Sequence, residues 1–365
     1  MARLSHACAE KPPKARPSSN RKREMEAPHL SVLSAGPGAT VQDGGRFGFR
    51  RYGVTPAGPM DWAAFRTANL ALGNAPDAAA LEIGPGGIEL VNASPGPIGV
   101  AFCGGGFSWF RDGQLAGAAA RLVLTPGAHL AARPGVAGIF TYLAVVGGLR
   151  TPVELGSRAT YTRGGLYGGM LQGGDFLPLA EDAGTPGDEA MIVAPWLRPD
   201  LDAPLRVVVG PQDDYFDAAA LDLFFSAPFK VTAGDRMAYR LDGPAIAHSR
   251  GYNIVSDGVA LGAIQIAGDK KPLVLMADHP PTGGYPKLGH IARADIGRLA
   301  QLRPGRTCHF AQVSAETARV ALLALEDAVV TTQSFCRPLR RVVALAGLPP
   351  SDRSPWSAVG NHRLR

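Results

Sequence analysis

Residues 278–287 read Asp-His-Pro-Pro-Thr-Gly-Gly-Tyr-Pro-Lys, and an apolar run, residues 272–277, leads directly into them. The apolar run is typical of a buried strand, and the charged Asp278 marks where that strand ends. Two adjacent glycines leave room for another backbone or a ligand because they carry no Cβ. Thr282, Tyr285 and Lys287 place hydrogen-bonding groups around them. The pattern predicts either a binding loop on a β scaffold or a proline-stiffened turn whose polar groups serve only the turn.

Glycine and proline are unusually frequent, with 46 Gly and 31 Pro among 365 residues, spread between short apolar runs. This distribution predicts many tight turns between short strands, and so a mainly β fold. Closely spaced strand patterns between residues 206 and 313, one of them at 252–256, with two short helical stretches, predict a small closed barrel. Asp112-Gly113 predicts a hairpin turn in the first half, and Ser314 is placed as the N-cap of a helix over residues 314–329. Residues 180–204 are acidic and turn-rich, as in a linker. We therefore expect two β-rich lobes, over residues 31–204 and 205–330.

The net charge of +6 is unevenly distributed along the chain. Residues 1–30 contain seven Lys or Arg against three acids, and residues 337–365 contain six against one, so the remainder is mildly acidic. Basic ends rich in Pro and Ser predict disordered tails over residues 1–30 and 331–365. A nucleic-acid interface needs a basic face on the fold itself, so this distribution argues against one.

The sequence contains none of the usual signals for export, for a membrane span or for a metal centre. The four cysteines are widely separated, with no C-x-x-C pair, and the eight histidines include no H-x-x-H pair. No apolar run approaches the ~18 residues of a membrane helix, and the N-terminus lacks the apolar core of a signal peptide. We expect a cytoplasmic protein without a metal site or a membrane partner.

Two segments of the first half carry candidate functional residues. Gln42, Asp43, Arg46, Arg50, Arg51 and Tyr52 lie within eleven residues of a glycine-rich segment, a density that favours a site or an interface. Residues 61–74 show helical spacing of apolar residues, with Asp61 placed as the N-cap and Gly73-Asn74 as the stop. Capping alone is sufficient to explain Asp61, although a catalytic role is the alternative.

Common catalytic devices are missing. The sequence has no G-x-S-x-G elbow of a serine hydrolase, and its glycine-rich segment at 104–106 lacks the Gly-Lys-Ser/Thr of a phosphate loop. An enzyme that works alone usually carries one such device, so the chain is more typical of a component that supplies part of a site.

Motifs that occur along nearly the whole chain outside the tails indicate a family. They are residues 38–46 (Gly-Ala-Thr-Val-Gln-Asp-Gly-Gly-Arg), 58–61 (Gly-Pro-Met-Asp), 79–82 (Ala-Ala-Leu-Glu), 142–148 (Tyr-Leu-Ala-Val-Val-Gly-Gly), 155–158 (Leu-Gly-Ser-Arg), 210–212 (Gly-Pro-Gln), 235–243 (Asp-Arg-Met-Ala-Tyr-Arg-Leu-Asp-Gly), 262–265 (Gly-Ala-Ile-Gln), 275–278 (Leu-Met-Ala-Asp) and 282–286 (Thr-Gly-Gly-Tyr-Pro). With these motifs the chain resembles the carboxyltransferase / allophanate hydrolase subunit 2 family. One departure is His279-Pro280-Pro281, where the family pattern resembles Arg-Gln-Thr; Ala159 and Ala238 also replace the usual Ser and Gly.

The resemblance implies a cyclophilin-like barrel for the second lobe and a set of site residues. Asp43, Asp61 and Asp278 are the predicted catalytic or orienting carboxylates. Arginines suit bidentate contact with carboxylate or phosphate, although a structural ion pair is the alternative for each of them. The predicted substrate-binding residues are Gln42, Arg46, Tyr52, Arg158, Arg236, Arg240, Gln265, Thr282, Gly283, Gly284 and Tyr285.

The resemblance implies three possible functions, and the sequence does not decide between them. The preferred hypothesis is a subunit of an ATP-dependent 5-oxoprolinase complex, which opens 5-oxo-L-proline to L-glutamate. It implies two partners in the complex, the related cyclophilin-like B subunit and a third, the A subunit. The second is a biotin-dependent carboxyltransferase component, with biotin supplied by a partner, because no Met-Lys-Met biotinylation site is present. The third is a non-catalytic antagonist that binds a related regulatory protein.

Overall fold

The computed structural model describes residues 27–166, 168–181, 184–185 and 187–339. The strands of the first half are β1 (His29–Ala35), β2 (Thr40–Gln42), β3 (Ala80–Ile83), β4 (Ile88–Asn92), β5 (Ile98–Cys103), β6 (Ser108–Arg111), β7 (Gln114–Gly117), β8 (Ala120–Leu124), β9 (His129–Arg133), β10 (Thr141–Val145), β11 (Phe176–Pro178) and β12 (Ala190–Ile192). Those of the second half are β13 (Leu205–Val209), β14 (Phe229–Gly234), β15 (Ala238–Asp242), β16 (Asp257–Gly258), β17 (Ala263–Ile266), β18 (Pro272–Leu275), β19 (Thr282–Gly283), β20 (Lys287–Ile291), β21 (Thr307–Cys308), β22 (Phe310–Gln312) and β23 (Cys336–Pro338).

The helices are few and mostly short. They are α1 (Trp62–Ala71), α2 (Ala218–Ser226), α3 (Ile296–Ala300) and α4 (Ala315–Val330). Single 3₁₀ turns occupy Arg50–Tyr52, Thr162–Gly164, Pro195–Leu197, Asp213–Tyr215, Arg293–Asp295 and Thr332–Phe335. The mainly β fold predicted from the turn-rich composition is therefore confirmed. No described helix combines the length and the apolar character needed to cross a membrane.

The first lobe consists of two sheets that pack face to face. The six-stranded sheet has the order β11-β1-β4-β9-β6-β7, and the seven-stranded sheet has the order β2-β3-β10-β5-β8-β12-β23. Inward-facing apolar residues of both sheets form a common core, in which Phe102 stacks on Trp109 with 4.5 Å between ring centroids. Arg111 and Gln114 pair across the predicted Asp112-Gly113 hairpin turn.

The second lobe is a barrel-like sheet of eight strands, in the order β21-β14-β15-β18-β17-β20-β13-β22. Its two edges meet in one stretch of chain, because Cys308 of β21 pairs with β14 and Phe310 of β22 pairs with β13. This arrangement nearly closes the sheet and leaves little free edge. Phe310 stacks on Phe224 of α2, with 4.6 Å between ring centroids, inside the barrel.

A continuous apolar core joins the two lobes. Helix α1 buries Phe65 and Ala68, and this face belongs to the same apolar cluster as Met276 and Leu299 of the second lobe. An interface of this apolar kind favours a fixed relative position of the two lobes.

The structure corrects the predicted boundaries of the tails and the linker. Residues 29–30, assigned to the N-terminal tail, begin β1, and residues 332–338, assigned to the C-terminal tail, form a 3₁₀ turn and β23. The predicted linker contains β12, which pairs with both β8 and β23. Residues 252–256, predicted as a strand, have no strand pairing in the structure. The remainder of both tails, residues 1–26 and 340–365, lies outside the described residues.

Candidate functional site

A cleft of about 450 Å³ opens where the first lobe meets the barrel. The first lobe contributes Arg50 and Arg51, and the barrel contributes Thr282, Lys287 and His290, together with backbone of residues 258–260. Two arginines, a lysine and a histidine at one cleft favour an anionic ligand. The cleft includes the start of the Thr-Gly-Gly-Tyr segment, which the sequence predicts to be a binding loop.

Arg50 is held in place from the barrel side. Its Nη2 donates to the carbonyl oxygen of Val259 and lies 3.1 Å from His279 Nε2. Its Nε and Nη1 atoms have no protein partner among the described residues. A half-buried guanidinium with free N–H groups on Nε and Nη1 can donate a charge-assisted hydrogen bond to an anion.

His290 is oriented so that one ring nitrogen remains free. Its Nδ1 lies 3.1 Å from the carbonyl oxygen of Gly210, which can only accept, so Nδ1 carries the hydrogen and Nε2 is an acceptor. Burial lowers the pKa of His290, and the charge of nearby Lys287 lowers it further, against the Gly210 hydrogen bond. The neutral imidazole can therefore accept a proton at neutral pH.

Lys287 is itself paired. Its buried Nζ lies 2.8 Å from Asp257 Oδ2, and this contact lowers the pKa of Asp257. Gln212 completes the arrangement, since its Oε1 accepts from the Lys287 backbone N–H at 3.2 Å. The lysine charge is thereby partly compensated, which leaves Arg50 and Arg51 as the less compensated cations of the cleft.

The predicted Thr-Gly-Gly-Tyr loop lies over a buried amide. Thr282 and Gly283 pair with Gly258 and Asp257, and Tyr285 is partly exposed beyond them. A Cβ at Gly283 would approach Gln265 Nε2 to 2.4 Å, so a larger residue here would displace the Gln265 side chain. Gly284 lies against the 254–256 segment. Gln265 is buried, and its Nε2 has no hydrogen-bond partner among the described residues.

Asp278 belongs to a buried ion cluster between the lobes. Both of its oxygens accept from Arg236, at 3.0 and 2.8 Å, and the same guanidinium donates to Glu82 and to the carbonyl oxygen of Gly58. Glu82 also accepts from Tyr142 Oη at 2.8 Å. Burial raises the pKa of Glu82, while Arg236 acts in the opposite direction. The charges of Asp278, Arg236 and Glu82 are therefore compensated by one another within the fold.

Asp61 is the N-cap of α1, as the sequence predicts. One oxygen accepts from the Ala64 N–H at 3.2 Å, and the other accepts from Gln301 Nε2 at 2.9 Å. Burial raises the pKa of Asp61, opposed by these two hydrogen bonds. A Cβ at Gly297 would approach Asp61 Oδ1 to 2.6 Å, so α3 packs closely here only because it has glycine.

Gln42, Asp43 and Arg46 hold two loops of the first lobe together. Gln42 bonds Thr40, Thr160 and Gly58, and Asp43 accepts from Ser157 Oγ and from the Arg158 N–H, both at 2.6 Å. The buried Arg46 donates to Ala159 O at 2.6 Å and to Glu154 O at 3.4 Å. The Arg158 side chain lines a separate cleft that also includes Asp43 and Arg150.

Two further predicted binding residues, Tyr52 and Arg240, do not line the cleft. Tyr52 is exposed beside Arg51, whose guanidinium lies 4.8 Å from the ring centroid. Arg240 lies on the barrel surface, 3.6 Å from Asp269. Within the described ranges, no group of three or more His, Cys, Asp or Glu is placed to hold a metal ion.

The structure adds three residues to the individually predicted site residues: Arg50 and His290 line the cleft, and His279 contacts Arg50 without lining the cleft. Arg50 belongs to the 42–52 segment, which the sequence predicts to be a site or an interface, and His279 belongs to the 278–287 stretch. The sequence does not indicate that Arg50 and His279 meet, because they are 229 positions apart.

Architecture and cleft together define a two-lobed β protein with an anion-favouring site at the lobe junction. Residues 52–312 match the carboxyltransferase domain family, subdomains A and B, and the chain belongs to this family.

Relatives confirm this assignment. The chain is 36% identical to the C subunit of 5-oxoprolinase from Escherichia coli, over 79% of its length and 93% of that protein. It is 33% identical to the C subunit of 5-oxoprolinase from Haemophilus influenzae, over 79% of its length and 93% of that protein.

Among solved structures, urea amidolyase of K. lactis superposes with a TM-score of 0.76 at 30% identity, over 82% of this chain and 20% of that one. The protein TTHA0988 superposes with a TM-score of 0.72 at 32% identity, over 84% of this chain and 60% of that one. The chain therefore spans only part of either structure.

Proposed function

We propose that this chain is a subunit of an ATP-dependent 5-oxoprolinase complex and that the junction cleft holds the substrate. The similarity to two proteins that are each named as the C subunit of 5-oxoprolinase, over 93% of each, supports the assignment of activity. The observation that carries the location is Arg50, whose Nε and Nη1 remain available beside Thr282 and His290.

The proposed substrate, 5-oxo-L-proline, has one carboxylate and one lactam. Arg50 would contact the carboxylate through a free N–H group of Nε or Nη1, because such charge-assisted contacts are strong. The free Nε2 of His290 would accept a proton from the water that opens the lactam. The buried amide of Gln265 and the hydroxyl of Thr282 would orient the ring. Asp278 would act through Arg236, by fixing the lobes on either side of the cleft.

ATP would be consumed by the assembled complex, since opening a stable lactam requires an activated carbonyl. The partners would be the related B subunit and the third, the A subunit. Exposed Tyr52 and Tyr285 near the cleft are the candidate points where a partner closes the site. We also propose that the complex is located in the cytoplasm.

The assay that tests the proposal measures glutamate and phosphate release from 5-oxoproline and ATP. This chain is combined with its candidate partner subunits, and each component is omitted in turn. Coupled release that disappears when this chain is omitted is the expected result. A stable complex without turnover would exclude 5-oxoproline as the substrate.

Carboxyl transfer from biotin carried by a partner is the second candidate. The structural similarity to K. lactis urea amidolyase covers 82% of this chain, and it favours carboxyl transfer as the second candidate. The same cleft would then bind the anionic carboxyl group. A biotinylated partner domain that supports turnover of a urea-type substrate, with none of 5-oxoproline, would select this alternative.

A further inference from the structure

A hydrogen-bond chain reaches from the barrel to the cleft through His279. The Nδ1 atom of this buried imidazole lies 2.6 Å from the carbonyl oxygen of Met276, so Nδ1 must donate. With its hydrogen on Nδ1, the ring presents Nε2 as an acceptor, 3.1 Å from Arg50 Nη2. The geometry therefore requires neutral His279, and an arginine from the other lobe donates a hydrogen bond to Nε2.

We propose that His279 is a positioning residue that aims Arg50 into the cleft, and that protonation of His279 releases it. The proposal rests on the proposed function, in which Arg50 binds the substrate carboxylate. His279 itself does not line the cleft, so it acts on substrate affinity through Arg50.

Protonation would disrupt the arrangement for two reasons. The carbonyl oxygen of Val259 already accepts from Arg50 Nη2, and the same oxygen favours the protonated ring, since it raises the pKa of His279. The two donors would therefore compete for one oxygen. Two positive charges would also face each other across the 3.1 Å contact, where the imidazole can no longer accept.

The charges around His279 are consistent with a neutral ring at neutral pH. Burial lowers its pKa below the ordinary value of 6.5 and the charge of Arg50 lowers it further, against Asp278 and the Met276 and Val259 carbonyls. Asp278 is largely compensated by Arg236, and Asp257 beyond Val259 is paired with Lys287. Arg46 and Arg51 add further positive charge on the side of the first lobe.

The kinetic test compares the KM for 5-oxoproline in the assembled complex from about pH 8 to about pH 5, a range that extends below the ordinary histidine pKa because burial lowers the pKa of His279. In the unmodified chain we expect KM to rise as the pH falls through this lowered pKa, towards about tenfold for a fully protonated ring, the effect of losing one charge-assisted contact. His279→Gln retains an acceptor that cannot titrate, so its KM should stay near the unmodified value and lose that rise. His279→Leu should show a raised KM at every pH.

The KM against kcat comparison separates His279 from His290, whose protonation as a base would lower kcat. A KM for His279→Leu equal to that of the unmodified chain, in a variant with unchanged thermal unfolding, would overturn the proposal. An acidic rise in KM that persists in His279→Gln would overturn the switch.

A second measurement does not require turnover. Histidine ¹⁵N NMR on this chain alone, with the His279 signal assigned from His279→Gln, should show a neutral ring protonated at Nδ1. Arg50→Gln should raise the pKa of His279, because it removes a neighbouring positive charge. An unchanged pKa in Arg50→Gln would contradict the coupling even if the complex has another substrate. If the pKa of His279 rises in Arg50→Gln but the complex does not turn over 5-oxoproline, only the proposed substrate is rejected.

Discussion

Arg236 is the residue on which the junction of the lobes depends most. Its guanidinium lies between Asp278 of the barrel and Glu82 of the first lobe, and its side chain is only 13% exposed. Electrostatic attraction to the two carboxylates offsets the free energy that it costs to remove this cation from water. The sequence nominates Arg236 and Asp278 as site residues, while their contacts in the fold are those of a structural cluster.

Arg236→Met should destabilise the folded chain by about 3–5 kcal/mol, because it leaves two buried carboxylates without a cation. Urea denaturation near neutral pH measures the change in the free energy of unfolding. Arg319→Met, on the exposed side of α4, is the matched control and should change little.

The loss in Arg236→Met should depend on pH. Burial already raises the pKa of Glu82 above 4.5, and removal of Arg236 raises it further. The folded variant then binds a proton more readily than the unfolded chain, so its deficit should shrink as the pH falls through the raised pKa. A deficit that is constant between neutral and acidic pH would contradict the role of the uncompensated Glu82.

Asp61 provides a second test at the residue scale. Asp61→Ser retains an oxygen that can cap α1, so turnover should remain within severalfold of the unmodified chain. Asp61→Ala removes the cap and should cost about 1 kcal/mol more than Asp61→Ser. Loss of all turnover in a stably folded Asp61→Ser variant would instead establish the catalytic role.

At the scale of single elements, the sequence predicted the helix caps and the hairpin turn, because neighbouring residues alone specify them. Asp61 and Ser314 cap α1 and α4, and Asp112-Gly113 forms the turn between β6 and β7. Strands β12 and β23 were not predicted, because each has three residues and no alternating pattern. Their conformation comes from pairing with each other across about 145 positions of sequence, which propensity does not report.

Residues 332–339 should therefore contribute to stability although they lie in a segment that has the composition of a tail. The Gln333 side chain donates to Leu70 O, and Phe335 packs on Trp196 with 5.0 Å between ring centroids. Deletion of residues 332–365 should lower the Tm by roughly 5–10 °C compared with deletion of 340–365, at about 2–4 °C per kcal/mol. Equal Tm values for the two truncations would show that β23 is dispensable.

At the scale of the whole molecule, the cleft exists only because two lobes are fixed against each other. Arg50 comes from the first lobe, while Thr282, His279 and His290 come from the barrel. The sequence located the Thr-Gly-Gly-Tyr loop because its glycines and polar residues are contiguous. It placed Arg50 in the 42–52 segment and His279 in the 278–287 stretch, but it did not indicate that they meet, since only the tertiary packing of the lobes brings them together.

The measurement that tests the central claim most directly is the KM for 5-oxoproline of Arg50→Gln in the assembled complex, with Arg319→Gln as the matched control. Arg50→Gln should raise KM by about 10- to 100-fold, because a charge-assisted contact with the substrate carboxylate is lost. Its kcat should change less, and Arg319→Gln should match the unmodified chain. An Arg50→Gln variant that folds, assembles and turns over 5-oxoproline with unchanged KM would contradict the placement of the substrate in this cleft.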